Sequence, residues 1–336
     1  MSFKPFLRLL REKKLGAAIQ CNALYRPFYQ LSYLAALEDS GLLDRLRGQR
    51  AALETLASEF SPGTKAMEAL VAWLQLGCRL GLLDSNGQGY ALKGLATKLA
   101  RRENDMTLAL VQEVSSLHHD LITKTLRRLR TGELWSLDNQ DAELTTRSSR
   151  VLEPFQVEVL ERFIPTSGAC RLLEVGCGSG IYIRHAAARN PNLTALGLEL
   201  QEDAARVARR NIEEWELQDR VTVEVGDIRA RPPAADFDMA TLFNNIYYFE
   251  VAERVDLLAR IREQLRPDGA LLLTTCCQGG NVGMEVLNLW GASNTHGGRL
   301  PAVEEMAEQL VQAGFKSVEK RRLIPGDGFH AFHARR

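Results

Sequence analysis

The sequence predicts an α/β protein in two parts: a helical N-terminal domain of winged-helix type, then a doubly wound domain on a mostly parallel sheet. Three observations carry this. Up to about residue 165 the apolar residues recur at helical spacing. From Cys170 onward strand-like and helix-like runs alternate, as in βαβ units. Where the first such strand meets the first such helix, the chain reads Gly176-Cys177-Gly178-Ser179-Gly180.

In the first part, Leu24 to Leu37 and Ala51 to Phe60 read as helices. The turn Ser61-Pro62-Gly63-Thr64 follows, with Ser61 and Pro62, or Thr64, able to start the next helix. Met67, Leu70, Val71, Leu74 and Cys78 mark one face of that helix, and Gly81-Leu82-Leu83-Asp84 closes it. Asp84 to Leu92 reads as a hairpin with Asn86-Gly87 as its turn. Helix, turn, helix, hairpin is a winged-helix arrangement. It raises a DNA-binding reading, which the would-be recognition helix opposes. Its first turns offer only Lys65 as a base, beside Glu68, whereas phosphate contacts need several Lys or Arg. A dimerisation module fits better, and the helical segment Met106 to Arg130 would add subunit contacts.

In the second part, Leu172 to Val175 is a short buried strand, Ile181 to Arg189 a helix, and Leu193 to Leu200 a second strand. Val221 to Val225 and Phe237 to Phe243 are strands, and Val251 to Leu265 is a helix. Arg266-Pro267-Asp268-Gly269 is a turn before the strand Ala270 to Cys276. Val303 to Ala313 is a helix ended by Gly314, and two closing strands lie near Ser317 to Ile324 and Gly328 to Ala334. Gln278 to Asn281 and Ala292 to Arg299 read as mobile loops able to close over a ligand.

The bulk properties narrow the function. The 336 residues suit about two domains. With 42 basic and 42 acidic residues, no global field draws the chain to nucleic acid or anionic membrane. No apolar run of transmembrane length is present, and Met1 to Leu15 is too interrupted by Arg and Lys for a signal peptide. The six cysteines show no metal-ligand spacing and suit reduced thiols in a cytoplasmic protein.

The glycine run decides the ligand. Counting G-x-G-x-x-G from Gly176 or from Gly178 puts Ile181 or Ile183 where the third glycine belongs, so the dinucleotide fingerprint fails. No Gly-Lys-Ser/Thr follows, so a P-loop fails too. What remains, Glu174-Val175-Gly176-Cys177-Gly178-Ser179-Gly180, resembles motif I of the class I S-adenosylmethionine (SAM) methyltransferases. SAM has no phosphate, and its ammonium and sulfonium favour a nearby carboxylate. Glu199, with Leu200 beside it, ends the second strand about 20–25 residues on, where an acid can accept from ribose hydroxyls. Gly226-Asp227-Ile228 resembles the family's Gly-Asp motif, in which the acid accepts from the adenine amino group and the next apolar residue packs on the ring. The resemblance thus implies SAM contacts from Glu174, Gly176, Gly178, Gly180, Glu199, Leu200, Asp227, Ile228 and Asn244.

The whole chain is similar to small-molecule O-methyltransferases that join a winged-helix dimerisation domain to a Rossmann-like class I catalytic domain. Ala36-Leu37-Glu38-Asp39-Ser40-Gly41-Leu42-Leu43, the segment Leu126 to Trp135, Leu265-Arg266-Pro267-Asp268-Gly269 and Ala313-Gly314-Phe315 carry this likeness. It implies a dimerisation domain over 1–105, a helical linker contributing to the acceptor pocket over 106–165, and a SAM-binding catalytic domain over 166–336. It further implies a small-molecule acceptor, a homodimer, no nucleic acid and no membrane. One departure stands out. Where many members have Leu-His-Asp-Trp after strand four, with the histidine as general base, this chain has Phe243-Asn244-Asn245-Ile246. An amide is no base near neutral pH. Asn244 and Asn245 are candidates for orienting the reactants, and His119 is the candidate base, with His118, His296 and His330 as others. Tyr247 and Tyr248 would stand at the mouth of the site. Methyl transfer by in-line displacement depends first on alignment, so a base is helpful rather than obligatory. Two other readings stay open: a SAM-sensing winged-helix DNA regulator, and a methyltransferase of protein or RNA.

Overall fold

The computed structural model describes residues 3–60 and 63–336, so Ser61 and Pro62, offered above as a helix start, lie outside the described residues. The chain forms two compact units, Met1–Asp120 with Gln140–Val151, and Leu121–Asn139 with Leu152–Arg336.

The first unit is helical apart from one hairpin. Its helices include Lys14–Asp39, Leu53–Phe60 and Thr64–Leu80, and its strands are β1 (Leu83–Asn86) and β2 (Gly89–Leu92). Leu34, Leu37, Leu42, Leu43, Leu56, Leu74 and Leu82 form the core. Thr64–Leu80 buries Leu74, Gly77 and Leu80. Gly77 is a packing requirement, because a Cβ there would lie 2.3 Å from the Tyr33 hydroxyl. Gly81 closes the helix at φ +78°, a conformation glycine adopts without a Cβ penalty. The hairpin turn sits one residue later than the sequence suggested. Asn86 pairs with Gly89, leaving Gly87-Gln88 as the two-residue loop. The Asn86 side chain accepts the Gln88 N–H at 3.0 Å, an Asx turn that keeps Asn86 in the strand. After the helix Asp105–Glu113 comes a π turn, Val114–His118.

The second unit is built on seven strands: β3 (Cys170–Val175), β4 (Leu193–Glu199), β5 (Val221–Val225), β6 (Phe237–Phe243), β7 (Leu265–Cys276), β8 (Ser317–Arg322) and β9 (Phe329–Arg335). Their spatial order is β5-β4-β3-β6-β7-β9-β8. β3 to β7 run parallel, while β9 is antiparallel to both β7 and β8. Parallel strands are covered on both faces and read as unbroken apolar runs, which is why β3, β6 and β7 were visible in the sequence. Leu173, Leu242, Leu258, Leu271 and Phe332 belong to one large apolar core, and Ile183, Ala208, Met239, Leu272 and Ala331 to another. The strand order reverses between β3 and β6, and the carboxyl ends of strands at such a reversal are where doubly wound sheets hold ligands.

Two local expectations change, and one helix is added. Residues 266–269 do not precede β7 as a separate turn. They bulge within it, because Leu265 pairs with Phe237 while Ala270 pairs with Met239. Val282–Ala292, a stretch to which the sequence reading assigned no element, is a helix capped by Asn281, whose side chain accepts the Met284 N–H. The segment 292–299 is tied down rather than free. Trp135 donates its N–H to the Ser293 carbonyl at 2.9 Å and accepts from the Thr295 N–H at 2.7 Å, and Gly298 donates to the Tyr247 carbonyl at 3.1 Å.

Candidate functional site at the carboxyl ends of β3, β4 and β6

The glycine loop leaves β3 and turns into the helix Ile181–Arg189. Gly176, Gly178 and Gly180 all have positive φ, at +69°, +52° and +78°. Gly176 donates its N–H to the Leu198 carbonyl at 2.7 Å, which presses the loop against β4. From the helix Glu202–Glu214, Asn211 donates to the Ser179 carbonyl at 3.0 Å, a partner that sequence spacing does not reveal. A Cβ on Gly178 would meet nothing within 4 Å, so the middle of the loop faces open space.

Two carboxylates flank the loop. Glu174, in register with Gly197 of β4 and Thr241 of β6, is 1 % exposed. Burial pushes its carboxyl up to about 8. The Ile183 N–H, which donates to it, pulls the other way, and the Glu199 charge adds to the rise. Its Oε2 has no hydrogen-bond partner, nor has the Thr241 hydroxyl. Glu199 is half-buried and accepts the Gly178 N–H at 2.9 Å and the Gln201 N–H at 3.2 Å. It thereby fixes the loop.

Asp227 follows Gly226, whose N–H donates to the Glu199 carbonyl at 2.9 Å, so the Gly-Asp turn lies next to the end of β4. The Asp227 carboxylate is engaged by Arg229, with Nη2 to Oδ2 at 2.7 Å, and Arg229 also meets Glu253 at 3.2 Å. The Arg229 hydrogen bonds hold the Asp227 carboxyl below the usual range. Ile228 is packed into the sheet core, whereas Leu200 is 61 % exposed and offers free apolar surface at the end of β4.

After β6 the chain turns sharply. Asn244 has φ +50°, a left-handed conformation that Asn tolerates better than most residues. Its N–H continues the ladder to the Thr274 carbonyl at 2.8 Å, and its Oδ1 is buried without a partner. Asn245 reaches back to the Val175 carbonyl at 3.4 Å, over Gly176. The rings of Tyr247 and Tyr248 stand 4.9 Å apart in the next turn.

The histidine candidates scatter. His119 belongs to the first unit, is exposed, and has its ring 6.2 Å from that of Phe28. Burial lowers the pKa of His118, against the pull of Glu113. His296 is exposed. His330 lies in β9. It is buried, with Nδ1 2.9 Å from the Gly328 carbonyl, and burial lowers its pKa.

Sequence reading missed Arg254, which is 0 % exposed. It donates to the Phe249 carbonyl at 3.2 Å and to the Arg299 carbonyl at 2.7 Å, joining the turn after Asn245 to the segment 297–299. A Cβ on Gly298 would sit 3.1 Å from its Nη2, so Gly298 makes room for it. Desolvation lowers its pKa to about 10. No local pattern announces the bond to the Arg299 carbonyl, which lies 45 positions away in the chain.

The set fits SAM. Glu174 Oε2 and Asn244 Oδ1 are buried acceptors without a donor, which an ammonium would supply. Glu199 can accept from a diol, and the loop leaves room for ligand at Gly178. Among the described residues no cluster of His, Cys, Asp or Glu could hold a metal ion, and no helix is long and apolar enough to cross a membrane.

Comparison with known proteins agrees with this geometry. Residues 172–269 match the family described as "Methyltransferase domain". The demethylspheroidene O-methyltransferase of Rhodobacter capsulatus is 27% identical over 194 residues, which cover 56% of this chain and 48% of that protein. The chain spans about half the length of the curated relatives it matches. Among solved structures, the mitomycin 7-O-methyltransferase MmcR superposes with TM-score 0.80 at 18% identity, covering 97% of this chain and 99% of that one. Human N-acetylserotonin methyltransferase, solved with SAM, superposes with TM-score 0.69 at 15% identity, covering 95% and 97%. At such identities the likeness is one of fold.

Proposed function

We propose, since residues 172–269 match the methyltransferase-domain family and the whole chain shares the two-domain fold of solved O-methyltransferases, that this protein is a SAM-dependent methyltransferase of a small molecule. The acceptor atom is oxygen, and the acceptor class is a specialised metabolite, the class to which the named substrates of several relatives and fold neighbours belong. The observation that carries the reading is the meeting of the positive-φ glycine loop with Glu174 and Glu199 at adjoining strand ends.

Bound SAM supplies an electrophilic methyl group on a sulfonium. Glu174 and the Asn244 carbonyl oxygen hold its ammonium end. Glu199 accepts from its ribose hydroxyls, and Leu200 with Asp227 lines the adenine end. Asn244 and Asn245, at the turn after β6, orient the reacting groups. With amides there, rate comes from alignment, and the acceptor's proton passes to solvent, before the transfer where the acceptor is already ionised. His119 is a base of second rank, since it is exposed on the surface of its unit.

The first unit, residues 1–105 above all, serves homodimerisation. Leu7, Leu10, Ile19, Leu24 and Phe28 leave apolar surface exposed along its first two helices. The protein works in the cytoplasm, in keeping with six free cysteines. Calorimetry with SAM tests the cofactor assignment, and release of S-adenosylhomocysteine across a panel of hydroxylated metabolites tests the activity. A wild-type protein that binds no SAM overturns both. Sedimentation equilibrium tests the dimer.

A further inference from the structure

We propose that Gln156 is a positioning residue that ties the helix of the cofactor loop to the strand end bearing Asn244. The inference rests on the methyltransferase reading. Gln156 lies in the helix Glu153–Phe163 and is 0 % exposed. Its Oε1 accepts the hydroxyl of Tyr182, and its Nε2 donates to the Thr274 hydroxyl at 3.2 Å. Tyr182 is the second residue of the helix that starts after Gly180. Its ring stands edge-on to Phe243, with centroids 5.2 Å apart, and Phe243 immediately precedes Asn244. Thr274 in turn accepts the Asn244 N–H on its backbone carbonyl. One buried amide thus touches the loop helix and β7 within a single unit of the fold.

Packing alone does not call for this residue. A buried amide loses hydration that only well-placed partners restore, and methionine would fill a similar volume without that loss. Here both ends of the amide are satisfied, each by a different element, and each element leads to the site. The left-handed turn at Asn244 has a direction to hold, because in-line transfer tolerates little misplacement. Gln156 sets the spacing between the loop helix and that turn.

The test is a double-mutant cycle read by SAM calorimetry on the full chain. Gln156→Met keeps the shape and removes both bonds. Gln156→Glu keeps acceptors for the two hydroxyls of Tyr182 and Thr274. Asn244→Gly keeps the positive φ and removes the amide. Gln156→Met is expected to weaken SAM binding by about five- to tenfold, a coupling of ordinary size for residues sharing one network. Gln156→Glu should stay within about twofold of wild type, and Gln156→Met in the Asn244→Gly background should add no further loss. Additive losses, an unchanged Gln156→Met, or a Gln156→Glu as weak as Gln156→Met would each overturn the proposal while leaving SAM binding by wild type intact. If thermal melting shows Gln156→Met unfolded, Tyr182→Phe, which removes one bond only, takes its place in the cycle with the same expectations. A wild type that binds no SAM would overturn the functional reading, and this inference with it.

Discussion

A Cβ on Gly176 would lie 1.8 Å from Nδ2 of Asn245, so the first glycine of the loop makes room for the strand end of β6. The next glycine has a different reason. Gly178 has open space above it. Gly176→Ala should therefore damage the fold, by about 1–3 kcal/mol from overpacking and a further ~1–2 kcal/mol from its left-handed backbone. Gly178→Leu should leave the fold within about 1–2 kcal/mol of wild type and abolish SAM binding. Chemical denaturation and calorimetry on both variants check the contrast.

Glu174 makes the free protein's stability fall with rising pH. Its carboxyl sits near 8 when folded, against 4.5 in the open chain. The folded state therefore holds the proton longer, and the stability this gives is present below the unfolded value and is lost as pH rises through about 8. The slope reaches at most about 1.4 kcal/mol per pH unit. Glu174→Gln should flatten the melting temperature between pH 5 and 8. SAM favours the ionised form, so wild-type affinity for SAM should rise over the same interval, and the variant's should not.

Arg229 competes for the acceptor that Asp227 would offer to an adenine amino group. Both side chains are partly open to water, so the pair contributes only about 0–1 kcal/mol to stability. Arg229→Ala should change SAM affinity by less than about threefold. Asp227→Ala should lower it by about tenfold or more, as expected for losing a charge-assisted hydrogen bond. Calorimetry on the two variants separates the roles.

Arg254→Met should destabilise the protein by about 2–4 kcal/mol, because the Phe249 and Arg299 carbonyls lose their donor inside the fold. Arg254→Lys can reach one carbonyl but not both, and should recover part of the loss. Urea denaturation of the three proteins checks this. Gln156 and Arg254 lie on different elements, so their effects on stability should add.

Those two residues also show where sequence reading stopped. The glycine loop, the acids at the ends of β3 and β4, and the strand–helix alternation were legible because each is written in contiguous residues. The turn of the hairpin came out one place off, since Asn86 and Gly87 share a turn signature and only the register shows which is in the strand. The helix Val282–Ala292 went unassigned, and its Gly291 is forced by the close approach of the Gly298 carbonyl. Gln156 and Arg254 were invisible for a simpler reason. The partners of Gln156 stand 26 and 118 positions away and the Arg299 carbonyl stands 45 from Arg254, and nothing in local spacing reports such meetings.

The place of β9 has a consequence for how the molecule is made. β8 pairs only with β9 among the described strands, and β9 separates it from β7. A ribosome delivers β8 before the neighbour it must lie against exists. Until then, β7 stands as a temporary margin and β8 waits, its exposed Lys320, Arg321 and Arg322 discouraging premature annealing to another nascent chain. Assembly of this half is thus a closing insertion rather than a steady accretion, and arrested chains lacking β9 should be markedly more sensitive to protease than released ones.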